Sequence, residues 1–298
     1  MVSLVCAAPK LHRPRLVGKH SLRGSGGGLS PFVVEKDHAE VQVRSLVGTV
    51  INPVMKAPEA LLERIGDNQA RDQGLKRLIL LLTQLGDFDS MEYAQALVPV
   101  LPRLDQAGIR PLAIAIGDSA GAERFCAFTG MPRELLQVES DARLHQALEL
   151  SPGLQAPGGP WPSLLLMCAG IGSPGTLAEV LRGYTGDRSA AQRFAGDEIV
   201  STGVLPPIPA GLFRRAGGEG FQRPFELATL RLRNMNEVLR HWSTYVPDDR
   251  FITQRGGTFL LDSDDSLLYV YRDRGILGFS ATMERPLAFL DPWLNDVG

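Results

Sequence analysis

Hydrophobic residues follow two alternating patterns between residues 41 and 150. Segments 76–83 and 109–116 are continuous aliphatic runs, typical of strands covered on both faces, and 135–138 is a shorter run of this kind. This order of runs and intervening helices predicts an α/β layer with parallel strands. A strand region is also predicted over 43–51, and apolar residues at helical spacing predict helices over 57–65, 90–106, 120–128 and 142–150.

The pattern changes after residue 152. Segments 152–162 and 203–224 are rich in glycine and proline and predict linkers or long loops. Between and after them, the sequence predicts an apolar, then helical stretch over 163–182 and a helix over 225–241. Two strand runs, 257–261 and 267–271, flank a polar five-residue loop and predict a hairpin, and 283–290 predicts a last helix.

Composition and charge narrow the classes of protein that fit. The chain has 298 residues, 44% hydrophobic and 21% charged, which excludes a fibrous or wholly disordered protein. Its longest aliphatic run, 78–82, is far shorter than the roughly 20 apolar residues of a membrane-spanning helix. A formal net charge of -2 excludes a nucleic-acid surface spread over the whole protein. We therefore expect no membrane span and no nucleic-acid partner.

The N-terminal segment 1–40 has a composition of its own. Residues 1–31 contain five Lys and Arg residues and no acid, the first acid of the chain being Glu35. The segment also has a Gly-Ser-Gly-Gly-Gly run at 24–28 and shows no apolar period. This predicts a disordered basic tail. A tail without function, an organelle transit peptide and a start codon assigned too far upstream all fit these features. The expected location is accordingly the cytoplasm, or the plastid stroma if the tail is a transit peptide.

Three segments resemble a known family. Segments 78–94, 108–128 and 254–273 resemble the nucleophile strand and helix, the next strand and helix, and the terminal hairpin of the peroxiredoxin-like 2 family, which is related to AhpC/TSA proteins. Segment 170–187 resembles a photosynthetic branch of AhpC/TSA-like proteins. The resemblance implies an α/β fold with a thioredoxin-like mixed sheet flanked by helices. Its parts would be a first part over 41–151, a helical and loop insertion over 152–250, and a terminal hairpin and helix over 251–298.

The resemblance also implies a changed redox site. Thiol chemistry on this scaffold needs a thiolate at a helix N-terminus, where the dipole and free amides stabilise negative charge. The family pattern opens this helix with Gly-Cys-Pro-x-Cys, whereas this chain has Gly-Asp-Phe-Asp-Ser at 86–90. Asp87 and Ser90 thus occupy the positions of the redox pair, and neither side chain can follow the oxidation steps of cysteine. The sequence therefore predicts no catalytic residue, no cofactor and no metal.

The remaining cysteines are far apart in the sequence, at positions 6, 126 and 168. This spacing is not that of a disulfide framework or a zinc site, and it fits a reducing compartment. Cys126 and Cys168 lie in apolar segments, so we expect both to be inert packing residues with raised pKa. Cys6, in the predicted tail, could react nonspecifically.

Two other motifs allow different chemistry. Segment 170–175 satisfies G-x-G-x-x-G and indicates either a phosphate-binding turn or an ordinary turn entering a helix. Asp87 and Asp89 after an aliphatic strand resemble the opening of haloacid-dehalogenase phosphatases, in which the first carboxylate attacks phosphate and Mg²⁺ is bound nearby. In that reading the later metal ligands would be Asp262, Asp264 and Asp265. The alternative is that these three acids form the hairpin turn.

The polar residues elsewhere predict structural roles. His145 and His241 are expected to be structural histidines, and Arg182, Arg188 and Arg193 to form an ion-paired or solvated face rather than an anion site. The first functional hypothesis is a peroxiredoxin-like protein with a degenerate redox site and a binding, assembly or regulatory role, with a protein partner at 160–220. The alternatives are an AhpC/TSA-type thiol-dependent oxidoreductase using Cys126 or Cys168 and, less favoured, a Mg²⁺-dependent phosphatase.

Overall fold

A computed structural model describes residues 40–42, 55–66, 73–203 and 205–294 of the chain. All of them belong to one compact unit. The predicted tail, apart from Glu40, and the strand region predicted over 43–51 lie outside the described residues. No helix within the described ranges combines the length and the apolar character needed to cross a membrane.

A mixed six-stranded sheet forms the centre of the molecule. Its strands are β1 (Glu40–Gln42), β2 (Lys76–Gln84), β3 (Ile109–Ile116), β4 (Leu136–Glu139), β7 (Gly257–Leu261) and β8 (Leu267–Arg272), and they lie in the order β1-β8-β7-β2-β3-β4. The central pair β2 and β3 is parallel, as is β3 with β4, whereas β7, β8 and β1 continue the sheet in antiparallel fashion on the other side of β2. This confirms the thioredoxin-like α/β class. A separate two-stranded pair is formed by β5 (Ile199–Val200) and β6 (Ile208–Pro209).

The continuous aliphatic sequence of β2 supplies two hydrophobic cores. Successive side chains of a strand point to opposite faces, so both faces of this strand are apolar. Leu78 and Leu80 belong to the larger core, while Ile79 and Leu81 belong to a smaller core beneath the other face. Helices cover both faces of the sheet at β2. This packing holds the C-terminal end of β2, where α2 follows, in a fixed position.

Helices occupy the predicted connections with modified boundaries. The helix predicted over 90–106 consists of two helices separated by a 3-10 turn, Val98–Val100. Pro99 and Pro102 explain the break, because proline lacks the backbone N–H that a continuous helix needs. The helices of this half are α1 (Glu59–Ile65), α2 (Phe88–Leu97), α3 (Leu101–Gln106), α4 (Ser119–Thr129) and α5 (Arg143–Ala147).

Segment 152–250 packs on the sheet half through buried side chains. Val238 and Tyr245 are completely buried in the larger core, next to residues of β2 and α2. The segment also has a small core of its own, which includes Phe194, Phe213 and Leu227. Its helices are α6 (Pro160–Cys168), α7 (Thr176–Thr185), α8 (Gly211–Gly217), α9 (Glu226–Arg240) and α10 (Trp242–Tyr245).

The last helix differs from its prediction. Residues 283–290 form turns that end in a 3-10 turn, Ala288–Leu290, and only the short helix α11 (Asp291–Leu294) follows. Pro286 interrupts the segment because it cannot donate a helical hydrogen bond. The apolar spacing of this segment therefore reflects burial: Met283, Phe289 and Leu290 all pack into the larger core.

Candidate functional site

The candidate site lies where β2 ends and α2 begins. Asp87 is the N-cap of α2, and its side chain accepts a hydrogen bond of 3.0 Å from the backbone N–H of Asp89. This is the capping role that short polar side chains perform at helix N-termini. The two positions that the resemblance assigns to a redox pair, Asp87 and Ser90, are thus placed in the first turn of α2, at the carboxyl end of a central strand.

A buried arginine pairs with both aspartates of this turn. Arg255 precedes β7, and its Nη2 lies 2.5 Å from Asp87 Oδ2 while its Nη1 lies 3.3 Å from Asp89 Oδ2. Its Nε donates to the Thr253 carbonyl at 3.0 Å, and its backbone N–H donates to the Ser151 carbonyl at 2.8 Å. Contacts with two carboxyl groups and one backbone carbonyl therefore fix the orientation of the guanidinium. Because it is entirely buried, its charge is available only to these partners.

Sequence reasoning did not identify Arg255 as part of the site. The residue stands 168 positions from Asp87 and lies in the Gln-Arg-Gly-Gly sequence at 254–257 that introduces the hairpin. The signal that could have revealed it is topological. In a thioredoxin-like sheet the strand that follows this sequence pairs with β2, so its preceding residue reaches the start of α2.

Two carboxyl groups in this cluster have raised pKa values. Asp89 is fully buried, and burial together with the negative charge of Asp87 raises its pKa well above the ordinary value. Burial also raises the pKa of Asp273 to about 7, with further repulsion from Asp87. For Arg255, burial lowers the guanidinium pKa but Asp87 and Asp89 raise it by more. One guanidinium therefore balances part of the charge of three carboxyl groups, and Asp89 and Asp273 are the members that readily keep a proton.

The loop after β8 completes the cluster. Both oxygens of Asp89 accept from the backbone N–H of Leu277 at 2.8 Å. Leu277 itself has a left-handed backbone, with φ of 58°. A non-glycine residue is rarely found in this region, so the surrounding contacts maintain a strained conformation here. Charge in the first turn of α2 is thus coupled to the geometry of this loop.

Ser90 does not face a space in which a substrate could bind. Its side chain is 2% exposed, and its Oγ lies 2.9 Å from Thr83 Oγ1. Beside it, between Asp89 and Asp273, is a cavity of about 10 Å³. This volume admits about one water molecule.

Cys168 contradicts the expectation of burial. It ends α6, is exposed, and lines a cavity of about 70 Å³ together with Asp87 and Phe88. Partial burial of the thiol and then the charge of Asp87 raise its pKa, and Arg255 offsets this only in part. The sequence around Cys168 is apolar because α6 packs against the rest of the protein. Cys168 itself lies in the last turn of α6, and its thiol is near the start of α2. The result is an accessible thiol that is mainly protonated near neutral pH.

Cys126 matches its prediction. It lies in α4, is buried, and burial raises the pKa of its thiol. Its side chain belongs to the larger core. Of these two thiols, that of Cys168 lines a cavity with Asp87 and Phe88 at the N-terminus of α2.

The glycine-rich turn is not a dinucleotide fingerprint. The apolar run before it belongs to α6, so the turn joins two helices, whereas the fingerprint requires a strand before the turn. The hydroxyl of Ser173 accepts from the backbone N–H of Ile276 at 2.8 Å, and that of Thr176 donates to the Ile276 carbonyl at 2.8 Å. The Ser173 and Thr176 hydroxyls therefore hold the loop that carries Leu277 in place.

The acids of the proposed phosphatase motif lie far apart. Asp262, Asp264 and Asp265 belong to the turn at the opposite end of β7 from Arg255, and a strand of that length spans about 13 Å. Asp265 pairs with Arg77 at 2.5 Å, and Asp264 with Lys56 at 3.0 Å. No group of three metal-ligating side chains occurs within the described part of the chain. The turn interpretation is the one that the geometry supports.

The predicted structural histidine His145 and two of the three arginines have partners within the protein. His145 is buried, with its Nε2 2.8 Å from the Leu82 carbonyl, and burial lowers its pKa. Arg182 pairs with Glu179 at 2.7 Å, which agrees with an ion-paired face. Arg188 lies over the ring of Phe221. Arg193 departs from the expectation, because its Nε and Nη2 are buried without a hydrogen-bond partner. His241 is half-buried before α10.

The fold and this site define a thioredoxin-like protein in which Arg255 forms ion pairs with two aspartates at the start of α2. The chain matches the family model described as AhpC/TSA antioxidant enzyme over residues 96–275. The match covers more than half of the chain, including the segment 152–250, so the protein belongs to this family. It begins within α2, after positions 87 and 90. Comparison with curated proteins and with solved structures gives no match.

Proposed function

We propose that this protein is a redox-degenerate member of the family with a binding, assembly or regulatory role. The observation that carries the proposal is the paired Asp87–Arg255–Asp89 cluster in the first turn of α2. In an active relative this position needs a thiolate, whose charge the helix N-terminus stabilises. Here carboxylates lie at this helix N-terminus, where Asp87 accepts from a backbone amide and both aspartates pair with Arg255. Carboxylates cannot reduce a peroxide. On the resemblance of 170–187, we further assign the protein to the photosynthetic branch.

A protein partner would bind through the segment 160–220. Leu177, Leu181 and Tyr184 are 55%, 63% and 52% exposed, and their spacing places them on one face of α7. Leu165 and Ile171 are also more than half exposed in the preceding helix and turn. Neighbouring exposed apolar side chains on one helix are a feature of interaction surfaces. We call the face formed by Leu177, Leu181 and Tyr184 the α7 face.

The α7 face gives a direct test of this proposal. Deletion of 160–220 would remove buried side chains such as Met167, so point substitutions are preferable. Affinity capture from native extract with Leu181→Lys should lose a specific protein that the unmodified chain retains. Leu239→Lys is the matched control, since Leu239 is similarly exposed but lies on α9. Recovery of the same proteins by all three chains would contradict a partner at this face.

Cys168 supports a second candidate function, a thiol-dependent oxidoreductase. The thiol is exposed and lies beside the start of α2. In such a reaction the thiolate would attack one peroxide oxygen and become a sulfenic acid, while the other oxygen leaves as water or an alcohol after protonation. A dithiol donor would then reduce the sulfenic acid and release water. The raised pKa of Cys168 disfavours the thiolate that this step needs.

Peroxide consumption by the pure protein distinguishes the two functions. With hydrogen peroxide and a reduced thioredoxin system, we expect no turnover above a protein-free control. Turnover that disappears in Cys168→Ser, but persists in Cys126→Ser, would overturn the first function and establish the second. The cysteine content fits a reducing compartment, and we propose the cytoplasm or the plastid stroma as the location.

A further inference from the structure

An apolar cavity lies on the far side of Phe88 and Cys168 from the carboxylate cluster. Its volume is about 410 Å³, and it is bounded by α6, α7, α9 and the loop at 276–277. This is within the roughly 300–1,000 Å³ of small-molecule sites. Val180 from α7 and Leu232 and Met235 from α9 form much of its wall.

The two threonine hydroxyl groups in the cavity wall already have partners within the protein. Thr176 Oγ1 donates to the Ile276 carbonyl at 2.8 Å, and Thr229 Oγ1 donates to the Phe225 carbonyl at 2.8 Å. A ligand would have to displace these bonds to gain hydrogen bonds from the same groups. The wall therefore favours a ligand that requires few polar contacts.

The charged group at the cavity is also fully engaged. All three nitrogens of the Arg231 guanidinium bond to protein: Nε and Nη2 donate to Glu92, Nη2 also to the Glu179 carboxylate, and Nη1 to the Glu179 carbonyl. Both carboxylates are mostly buried, so removal of Arg231 from them would be costly. No cation in this part of the wall is available to balance an anionic head group, and the carboxylate of Asp87 lies beyond Phe88.

Aromatic side chains stand at the rim of the cavity. Tyr184 and Phe225 meet edge to face, with ring centroids 5.9 Å apart, and both are more than half exposed. Phe225 has a left-handed backbone, with φ of 64°. A bulky residue in this conformation is strained, and strain of this kind is concentrated at ligand-binding positions. The exposed ring is thus held beside the cavity at an energetic cost.

We propose that this cavity binds a small, neutral, apolar molecule, in contact with Phe88 and the thiol of Cys168. The volume defines the size of the ligand, the satisfied hydroxyls define its low polarity, and the paired Arg231 excludes an anion. The cavity shares Tyr184 with the α7 face, but its proposed ligand requires neither a protein partner nor redox activity of Cys168. It would exist equally in a binding protein and in an oxidoreductase.

Binding of the neutral fluorescent probe N-phenyl-1-naphthylamine to the full chain tests the proposal. We expect a saturable fluorescence increase at one site per chain, displaced by 1-dodecanol and at least tenfold less well by dodecyl phosphate. Leu232→Trp, which fills the cavity, should weaken probe binding at least tenfold. Leu239→Trp is the matched control, because it makes the same change at an exposed position of the same helix. It should bind like the unmodified chain.

Protection of Cys168 provides a second measurement that needs no cavity-filling variant. In a Cys6→Ser, Cys126→Ala background, saturating 1-dodecanol should slow alkylation of Cys168 by iodoacetamide at least fivefold. Absence of saturable binding, unchanged alkylation, or equal binding by the two tryptophan variants would overturn the proposal. So would tight binding of dodecyl phosphate, which would indicate an anion site. A change of sedimentation from dimer to monomer in Leu232→Trp, without probe binding by either chain, would instead identify the cavity as an interface between copies.

Discussion

At the scale of single residues, Arg255 determines whether the start of α2 tolerates its two aspartates. Buried carboxylates are costly unless they are paired, and Arg255 supplies the pair for both Asp87 and Asp89. The same residue binds the Ser151 and Thr253 carbonyls. Arg255 therefore links the start of α2 to the segment at Ser151 and to the residues that precede β7.

Substitution of Arg255 should strongly destabilise the protein. Arg255→Ala leaves buried carboxylates without a partner, and we expect a loss of about 3–5 kcal/mol in the free energy of unfolding. Urea denaturation at pH 7.5 would measure this loss. Arg255→Lys keeps the charge but not the two-pronged geometry, so its loss should be smaller. Equal losses in both variants would show that charge pairing is not the cause.

Asp273 should make stability depend on pH. Its folded pKa is about 7, above the roughly 3.9 of an unfolded aspartate, so folding takes up a proton between these values. Stability from this group is complete below about pH 4 and is lost as pH rises to 7, at about 1.4 kcal/mol per pH unit. Asp273→Asn should remove this contribution, as measured by denaturation from pH 5 to 8. The exposed Asp105→Asn is the control; an unchanged slope in Asp273→Asn would refute the assignment.

Asp87 should also control the reactivity of Cys168. Its charge raises the pKa of the thiol, so Asp87→Asn should lower that pKa and increase the thiolate fraction. We expect iodoacetamide to alkylate Cys168 about three- to tenfold faster at pH 7.5, since one pKa unit is a tenfold change in thiolate. Peptide mass spectrometry would follow position 168 alone.

The control for this prediction is Asp118→Asn. Asp118 is the N-cap of α4, as Asp87 is of α2, and asparagine caps helices about as well as aspartate. It should leave the alkylation of Cys168 unchanged. An equal acceleration in both variants would point to a general loosening of the fold instead of a local charge effect.

At the scale of elements, the aliphatic strands were fully readable from the sequence. Predictions over 109–116 and 257–261 coincide with β3 and β7, because strands buried on both faces leave an uninterrupted apolar run. The prediction of one helix over 90–106 is wrong, because it follows the apolar spacing alone. Pro99 and Pro102 break this segment into α2 and α3. The apolar spacing over 283–290 gave a helix where the structure has turns, since buried turns also place apolar side chains at intervals.

The junction before α6 offers an element-scale prediction. Gly153 has φ of 75°, and a Cβ at this position would overlap the Thr253 carbonyl oxygen. Gly153→Ala should therefore disturb the segment that orients Arg255 and lower the unfolding free energy by more than about 2 kcal/mol. Gly175→Ala is the control: φ is 85°, but no atom lies within 4 Å of the added Cβ. Urea denaturation should give the larger loss at Gly153, and similar losses would mean that backbone strain alone is responsible.

At the scale of the whole molecule, sequence reasoning reached the fold but only half of the site. The positions of Asp87 and Ser90 followed from local sequence, because a strand and a helix start define them. The pairing of Arg255 with Asp87 and the approach of Cys168 depend on contacts across 168 and about 80 residues. Neither contact leaves a periodic signal in the sequence. The sequence also predicts that segment 152–250 is an insertion. This remains a prediction.

Segment 152–250 should be required for folding of the remaining chain. Val238 and Tyr245 are completely buried in the larger core, so their removal would expose the helices that cover β2. A variant in which a short Gly-Ser linker replaces 152–250 should lack near-ultraviolet circular dichroism and cooperative unfolding. The exposed Leu239→Ala variant should keep both. A cooperative transition in the deletion variant would show that the sheet half folds independently.

The three-residue loop at 275–277 has a consequence for communication within the protein. One side of it is bound by the Ser173 and Thr176 hydroxyls, next to the α7 face, and the other side by the Asp89 carboxylate. Asp89 and the start of α7 are therefore bonded to the same short loop. A ligand at α7 that shifts this loop would change the proton affinity of Asp89. By thermodynamic reciprocity, protonation of Asp89 would then change the affinity for that ligand by the same factor.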